Sequence, residues 1–251
     1  MTYQGDTAVL VGATGDFGRA ITARLTGLGM TVVAVGRNRA SLDRLAAEFP
    51  NVVPCVADIS DDSAIDDIRA SITGPIRAAI HGPGLAAPGH VLDLAPDAVA
   101  QSVNIKAGGM MRLARAVDPH LQKGSRLIGV AGHYGIEPTD YACAAGIANA
   151  SLIALMRQLS QAYGARGISA HTIAPGPADT PRLHRIAEVR AKANGTTPDQ
   201  VLDGMRAESS LNTLVDPDQV AWAVLTLLAP EADAMTGNVM SLDGGRRHGT
   251  P

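Results

Sequence analysis

Short apolar runs recur along the chain at 8–12, 31–36, 52–57, 78–81, 126–131, 169–174 and 239–242. Each is continuous rather than alternating, the pattern of a parallel strand covered on both faces. Between them lie stretches with apolar residues at helical spacing, at 18–28, 39–48, 63–71, 101–121, 142–164 and 217–228. Alternation of this regularity predicts an α/β fold, a doubly wound parallel sheet with helices on both faces. No repeat, low-complexity segment or linker interrupts it, so a single domain is expected over 1–251. The irregular region is 175–215, where Pro181, Gly195 and Pro198 stand among many polar residues. It predicts a helical flap at about 181–215 over one end of the sheet, and long insertions of this kind are more often functional than decorative.

Composition narrows the picture. The chain has 251 residues, 46% of them hydrophobic but only 3% aromatic, so the core is built from Ala, Val, Leu and Ile. Charged residues make up 18% and the net charge is −3, which gives no basic surface for nucleic acid or an anionic membrane. Cys55 and Cys143 cannot build a disulfide framework and are expected as reduced thiols. No charged-then-apolar leader opens the sequence and no apolar run reaches about 18 residues. The cytoplasm is the expected compartment.

The first strand runs into VGATGDFGRAI, where Gly12, Gly15 and Gly18 sit at a strand-to-helix turn, with Thr14 and Phe17 between them. Glycine there lets the backbone approach a pyrophosphate, and the helix N-terminus adds free N–H groups and a positive dipole end. The second strand ends in Gly36, Arg37, Asn38 and Arg39. An NAD site usually places a carboxylate about 20 residues beyond the glycine motif. Its absence, together with an arginine fork suited to a 2'-phosphate, favours NADP(H) with Arg37 and Asn38 as contacts. The alternative is that these arginines are solvated charges at a helix start.

YACAAGIANASLIALMRQLSQAYGARGISAHTIAPGP, over 141–177, resembles the catalytic stretch of short-chain dehydrogenases/reductases, and the likeness continues through IAPGPADTPRL to Thr236-Gly237 and Asp243-Gly244-Gly245. The resemblance implies a Rossmann-type domain. It puts the cofactor on the glycine turn, on Asp58 and Ile59 beside the adenine, on Gly84 after the fourth strand, and on Pro175, Gly176, Ala178 and Thr180 around the nicotinamide. Asp58 is equally readable as a helix N-cap. The family's middle glycine is replaced by Asp16, whose side chain is expected to face away from phosphate. His81, at the end of the fourth strand, is expected to be a hydrogen-bonded structural histidine.

Catalysis in this family uses Tyr, with Lys four residues on and Ser before it. Here Tyr141 is present, whereas Ala145 stands at the Lys position and Gly132 at the Ser position, and the loop between 132 and 141 looks shorter than usual. Asn104 matches the Asn of the family's proton relay and also of a helix irregularity. An unassisted Tyr has a pKa near 10, far from the value suited to general acid catalysis, and losing such helpers typically costs about 10²–10³ in rate. His133, on the loop over the expected nicotinamide site, is a substitute proton donor or an ordinary loop histidine, and Lys106 is the nearest cation to the relay. His184, Met205 and Leu211 suggest an apolar pocket under the flap. The resulting expectation is an NADP(H)-dependent oxidoreductase with a non-standard proton source, acting on a small C=O or C=N compound. Its catalytic candidates are Tyr141, Asn104 and His133, and no metal is implied. The alternative is a non-redox relative: a cyclase, isomerase or nucleotide-binding regulator. Apolar residues on more than one face of 101–121 and 142–164 call for burial of these helices, and the resemblance implies that they pair across the interface of a homodimer or homotetramer.

Overall fold

The computed structural model describes residues 3–85 and 87–249, so the expected 1–251 domain runs past the described residues at both ends. Seven parallel strands form one sheet: β1 (Thr7–Val11), β2 (Thr31–Gly36), β3 (Val52–Val56), β4 (Ile76–His81), β5 (Leu121–Val130), β6 (Ser169–Pro175) and β7 (Val239–Leu242). Their order is β3-β2-β1-β4-β5-β6-β7. Successive residues of a strand point to opposite faces, and the two cores follow that rule. Leu10, Val32 and Ile80 join one cluster with Ile21, Leu25, Val220 and Val224. Their chain neighbours Val9, Val33 and Ala79 join the other with Leu113, Leu152 and Met156. The first face is covered by α1 (Asp16–Gly27) and α9 (Pro217–Leu227), the second by α3 (Ala64–Ala70), α5 (Gly109–Val117) and α6 (Cys143–Gly164). The remaining helices are α2 (Arg39–Glu48), which adds Leu42 and Leu45 to the first core, α4 (Pro96–Val103), and α7 (Pro181–Asn194) and α8 (Pro198–Ala207) in the region expected as a flap.

Two boundaries differ from the sequence expectation. The helix predicted over 101–121 is α4 (Pro96–Val103), a π-helical segment (Asn104–Gly108) and α5, and it stops at Val117. Strand β5 then starts at Leu121 rather than 126, with a register irregularity against β4 and Gly124 at φ 90°. Polar Gln122, Lys123 and Gly124 hide this segment from an apolar-run search. Helix starts obey their sequence signals: Asp216 with Gln219, and Thr197 with Gln200, form reciprocal capping boxes, each followed by Pro at the first helical position. Strand order reverses between β1 and β4, which opens a crevice at the carboxyl ends of the strands.

Candidate active site

That crevice is a cleft of about 540 Å³, walled by the β1–α1 turn, the ends of β2 to β6, and α7. At one end lies the glycine turn. Gly12 has φ 82°, a conformation that disfavours other residues. At Gly18 an added Cβ would lie 2.2 Å from the Gly12 carbonyl oxygen, so α1 packs on the turn at backbone contact. Gly15 sits at the N-cap with no side-chain cap, leaving the first amides of α1 to be satisfied from the cleft. Asp16 does not turn away as expected: it lines the cleft, where its charge acts on the Arg182 guanidinium. The chain positions it as the first helical residue, where the helix dipole favours an acid.

Arg37 and Asp58 face the same end. Arg39 is taken up by Asp43 at 2.9 Å on the solvent side, so of the two arginines Arg37 is the one on the cleft. Asn38 is not on the cleft wall, because its Oδ1 accepts from the Ser41 N–H at 2.9 Å and caps α2. Asp58 accepts from the Ser60 hydroxyl and N–H, which together hold its carboxyl below the usual range. It lines the cleft and does not cap α3, whose N-cap is Ser63. Ile59, buried beside it, adds an apolar wall. Thr14, Phe17 and Gly84 line the middle of the cleft. Pro175, Gly176, Ala178 and Thr180 form its far wall; the Thr180 Oγ1 accepts from the Leu183 N–H at 3.2 Å and starts α7.

His81 is fully buried, donating Nε2–H to the Ile105 carbonyl at 3.0 Å; burial first, then Lys106, pushes its pKa down to about 3. This is the structural role expected. Asn104 opens the π segment. Its Nδ2 donates to the Ser60 carbonyl at 3.0 Å and its Oδ1 accepts from Arg112 at 2.9 Å, so the side chain ties the irregular turn to the β3–α3 loop and does not reach the cleft wall. Lys106, two residues on, is 7% exposed, and its Nζ donates to the Val130 carbonyl at 2.8 Å, at the end of β5. The amine lies 3.2 Å from where a Cβ on Gly84 would be, directly behind the cleft. Burial, then the charge of Arg182, pushes its pKa down to about 7.

The remaining wall is His133 and Tyr134, with Arg190 and Met205 on the flap. His133 is 5% exposed, 3.5 Å from Asp243 and 3.7 Å from Glu137. Burial and Arg246 lower its pKa, so the ring is mostly neutral at pH 7. Glu137 also accepts the N–H groups of His248 and Gly249, at 2.8 and 3.1 Å. Tyr141 precedes α6 and does not line the cleft; its hydroxyl is 3.0 Å from that of Tyr134, which does. Arg190 stacks on the Tyr141 ring at 4.3 Å and Arg246 on the Tyr134 ring at 5.7 Å, with Arg246 itself paired to Glu208. Burial raises the pKa of both phenols; at Tyr141 the Tyr134 bond and the two guanidiniums outweigh it and bring the net value below the ordinary one.

Gly132 stands where the resemblance expects a serine. Gly132 is extended, and a Cβ on it would meet the Asn149 Nδ2 at 2.7 Å. Asn149, on α6, is 8% exposed and fills the space a serine would take. Counting four residues from Tyr141 points to Ala145, whereas the residue facing Gly132 is a further turn along the helix. In the flap, Met205 and Leu183 line the cleft as expected of an apolar pocket. His184 instead pairs with Asp179 at 2.7 Å, and Leu211 is 72% exposed, away from it. Arg182, which sequence reasoning missed, spans the cleft mouth from α7 to donate to the carbonyls of Gly84 and Leu85 at 3.3 and 3.1 Å. Arg190 was missed too; its signal is the eight-residue spacing from Arg182, which places both on one helix face.

Comparison with known proteins agrees with this architecture. The family model described as enoyl-(acyl carrier protein) reductase matches residues 12–247. The chain is 26% identical over 247 residues to 2-keto-3-deoxy-L-fuconate dehydrogenase of Xanthomonas campestris pv. campestris, covering 96% of this chain and 80% of that one. It is 24% identical over 260 residues to the 3-oxoacyl-(acyl-carrier-protein) reductase FabG of Thermotoga maritima, covering 98% and 99%. Its fold superposes on L-sorbose reductase of Gluconobacter frateurii, a structure complexed with NADPH and L-sorbose. The TM-score there is 0.91 at 21% identity, over 100% of this chain and 99% of that chain. The chain belongs to the short-chain dehydrogenase/reductase family and is an oxidoreductase.

Proposed function

We propose that the protein is an NADP(H)-dependent reductase of a small C=O or C=N substrate, using a proton source other than the family's Ser-Tyr-Lys set. The observation that carries this is the single cleft that joins the glycine turn and Arg37 at one end to His133 and Tyr134 at the other. The turn fits a dinucleotide: uncapped helix amides face the pyrophosphate position, and contact at Gly18 leaves no room for a side chain. Arg37, with no acid at the end of β2, fits a 2'-phosphate. Bound there, NADPH supplies the hydride. Arg182 closes the mouth over it, and Pro175, Gly176, Ala178 and Thr180 hold its nicotinamide end.

The chain's own contribution is the proton. Tyr134 is the phenol on the cleft wall and hands its proton to the substrate oxygen; Tyr141, behind it, restores that proton through the 3.0 Å contact. Arg190 and Arg246 stabilise the phenolate in place of the missing lysine. Neutral His133 orients the substrate, and Lys106 adds a titratable amine beneath Gly84. An iminium substrate needs no such donor. The alternative of a non-redox protein is disfavoured by the retained cofactor cradle. The face of α5 and α6 leaves Met111 and Ile147 exposed at 42% and 47%, in keeping with a homodimer or homotetramer through these helices. No helix among the described residues is long and apolar enough to cross a membrane; we place the protein in the cytoplasm.

The test is titration of NADPH and NADH by nicotinamide fluorescence, with Arg37→Asp alongside, followed by a panel of ketones and cyclic imines. NADPH binds more tightly than NADH, and Arg37→Asp reverses or abolishes the preference. Absence of binding overturns the proposal, and binding without oxidation of NADPH on any substrate returns the non-redox alternative.

A further inference from the structure

We infer that the substrate carries an anionic group, a carboxylate or a phosphate, which Arg190 binds at the flap end of the cleft; this rests on the reductase reading above. Arg190 lines the cleft and is partly buried. Its guanidinium carbon lies over the Tyr141 ring, 4.3 Å from the centroid. A guanidinium resting on a ring face keeps N–H edges to fork an oxyanion. Among the described residues no ion pair or hydrogen bond uses those edges. Other arginines around the site are committed: Arg246 to Glu208 and the Met205 carbonyl, Arg182 to the carbonyls of Gly84 and Leu85.

The surroundings sharpen the requirement. Leu183, Ile186 and Met205 make this end of the cleft apolar. An unpaired guanidinium there is unfavourable, and its attraction to an incoming anion is stronger than in water. The acids that line the cleft, Asp16 and Asp58, stand at the other end, by the glycine turn and β3. Glu137 and Asp243 stand beside His133, where Glu137 accepts the tail amides and Asp243 Oδ1 the Gly245 N–H.

The cofactor does not fill the role. Arg190 is eight residues beyond Arg182, about 12 Å further along α7 at about 1.5 Å per residue, and Arg182 is the flap residue that feels Asp16 on the phosphate-binding turn. The anion that pairs with Arg190 therefore belongs to the second ligand. Arg190 covers Tyr141, whose hydroxyl is 3.0 Å from Tyr134 on the cleft wall, so anion and reacting carbonyl are close together in a small molecule.

The experiment uses the full chain with NADPH binding first confirmed by fluorescence; loss of that binding overturns the cofactor reading and leaves this one separate. Oxo acids with the ketone one to four bonds from the carboxylate are compared with their methyl esters, and dihydroxyacetone phosphate with dihydroxyacetone. NADPH oxidation is followed, and binding to the NADP⁺ complex is measured by calorimetry. One acidic series binds and is reduced in preference to its neutral partner, and which series it is identifies carboxylate or phosphate. Arg190→Ala raises Kd for that acid, read in the calorimeter, by about tenfold or more and leaves Kd of the neutral partner unchanged, while kcat falls by the same factor for both through the lost support of Tyr141; Arg190→Lys restores part of the loss in Kd. Equal affinity for acid and neutral partner, an equal effect of Arg190→Ala on the Kd of both, or no Arg190-dependent binding of any acid in the calorimeter overturns the inference.

Discussion

Replacing Lys106 with methionine should make the protein more stable, and by an amount that depends on pH. The amine is 7% exposed and has the Val130 carbonyl as its hydrogen-bond partner. Its pKa falls from an ordinary 10.5 to about 7. Between those values the unfolded chain holds a proton that the folded chain has released, so wild-type stability rises with pH across the window. At about 1.4 kcal/mol per pH unit, the full gap amounts to about 5 kcal/mol of penalty at pH 7 and below, fading to nothing above the ordinary value. Methionine fills a similar volume but leaves the Val130 carbonyl without its donor, at about 1–2 kcal/mol. The net gain at pH 7 is about 3 kcal/mol, which for a chain of this size raises Tm by about 6–12 °C. Urea unfolding of both proteins, followed by circular dichroism from pH 7 to 10, measures the difference. It should shrink by up to about 1.4 kcal/mol per pH unit. A difference that does not vary with pH, or a less stable variant, refutes the burial argument. The same variant should lose reductase activity if the amine serves the site, stability and function then moving in opposite directions.

Gly18→Ala places a Cβ 2.2 Å from the Gly12 carbonyl oxygen; NADPH affinity in the fluorescence titration should fall by more than about tenfold, with loss of stability where the turn is forced apart. Tyr134→Phe should lower kcat on a ketone by about 10²–10³ and Tyr141→Phe by less, since only the first lines the cleft; an equal or reversed order places the acid elsewhere. Gly132→Ser should destabilise the protein by about 1–3 kcal/mol because the new side chain meets Asn149 at 2.7 Å, and adding Asn149→Ala should recover most of that loss in thermal unfolding.

Much of this architecture is legible in the sequence because its strands are buried on both faces and so leave continuous apolar runs. The exception proves the physical point: at Leu121–Val130 the first turn of strand is polar and bent at Gly124, and the apolar run begins only at 126. The glycine turn at the cleft is equally legible, since glycines at a backbone contact leave a fixed spacing; Asn38 lies off the cleft because a short amide at a helix start is captured by the Ser41 N–H. The proton-handling end is not legible. Which α6 residue faces Gly132 depends on how many residues the preceding loop holds, and Asn149 takes that place. Which flap side chains enter the cleft depends on the rotation of α7, so Arg182 and Arg190 emerge only in three dimensions.

The bonds from Glu137 to the His248 and Gly249 amides join positions 111 and 112 residues apart. Closing a loop of that length costs about 4 kcal/mol in chain entropy, which only a formed sheet with β7 in place can offset. The wall beside Glu137 is therefore a late event in folding, while the glycine turn between β1 and α1 closes over shorter separations, the Gly12 N–H bonding the Val35 carbonyl. A partly folded chain should complete the glycine turn before the wall that carries His133 and Tyr134, and pulling His248 and Gly249 away from Glu137 would load that same wall.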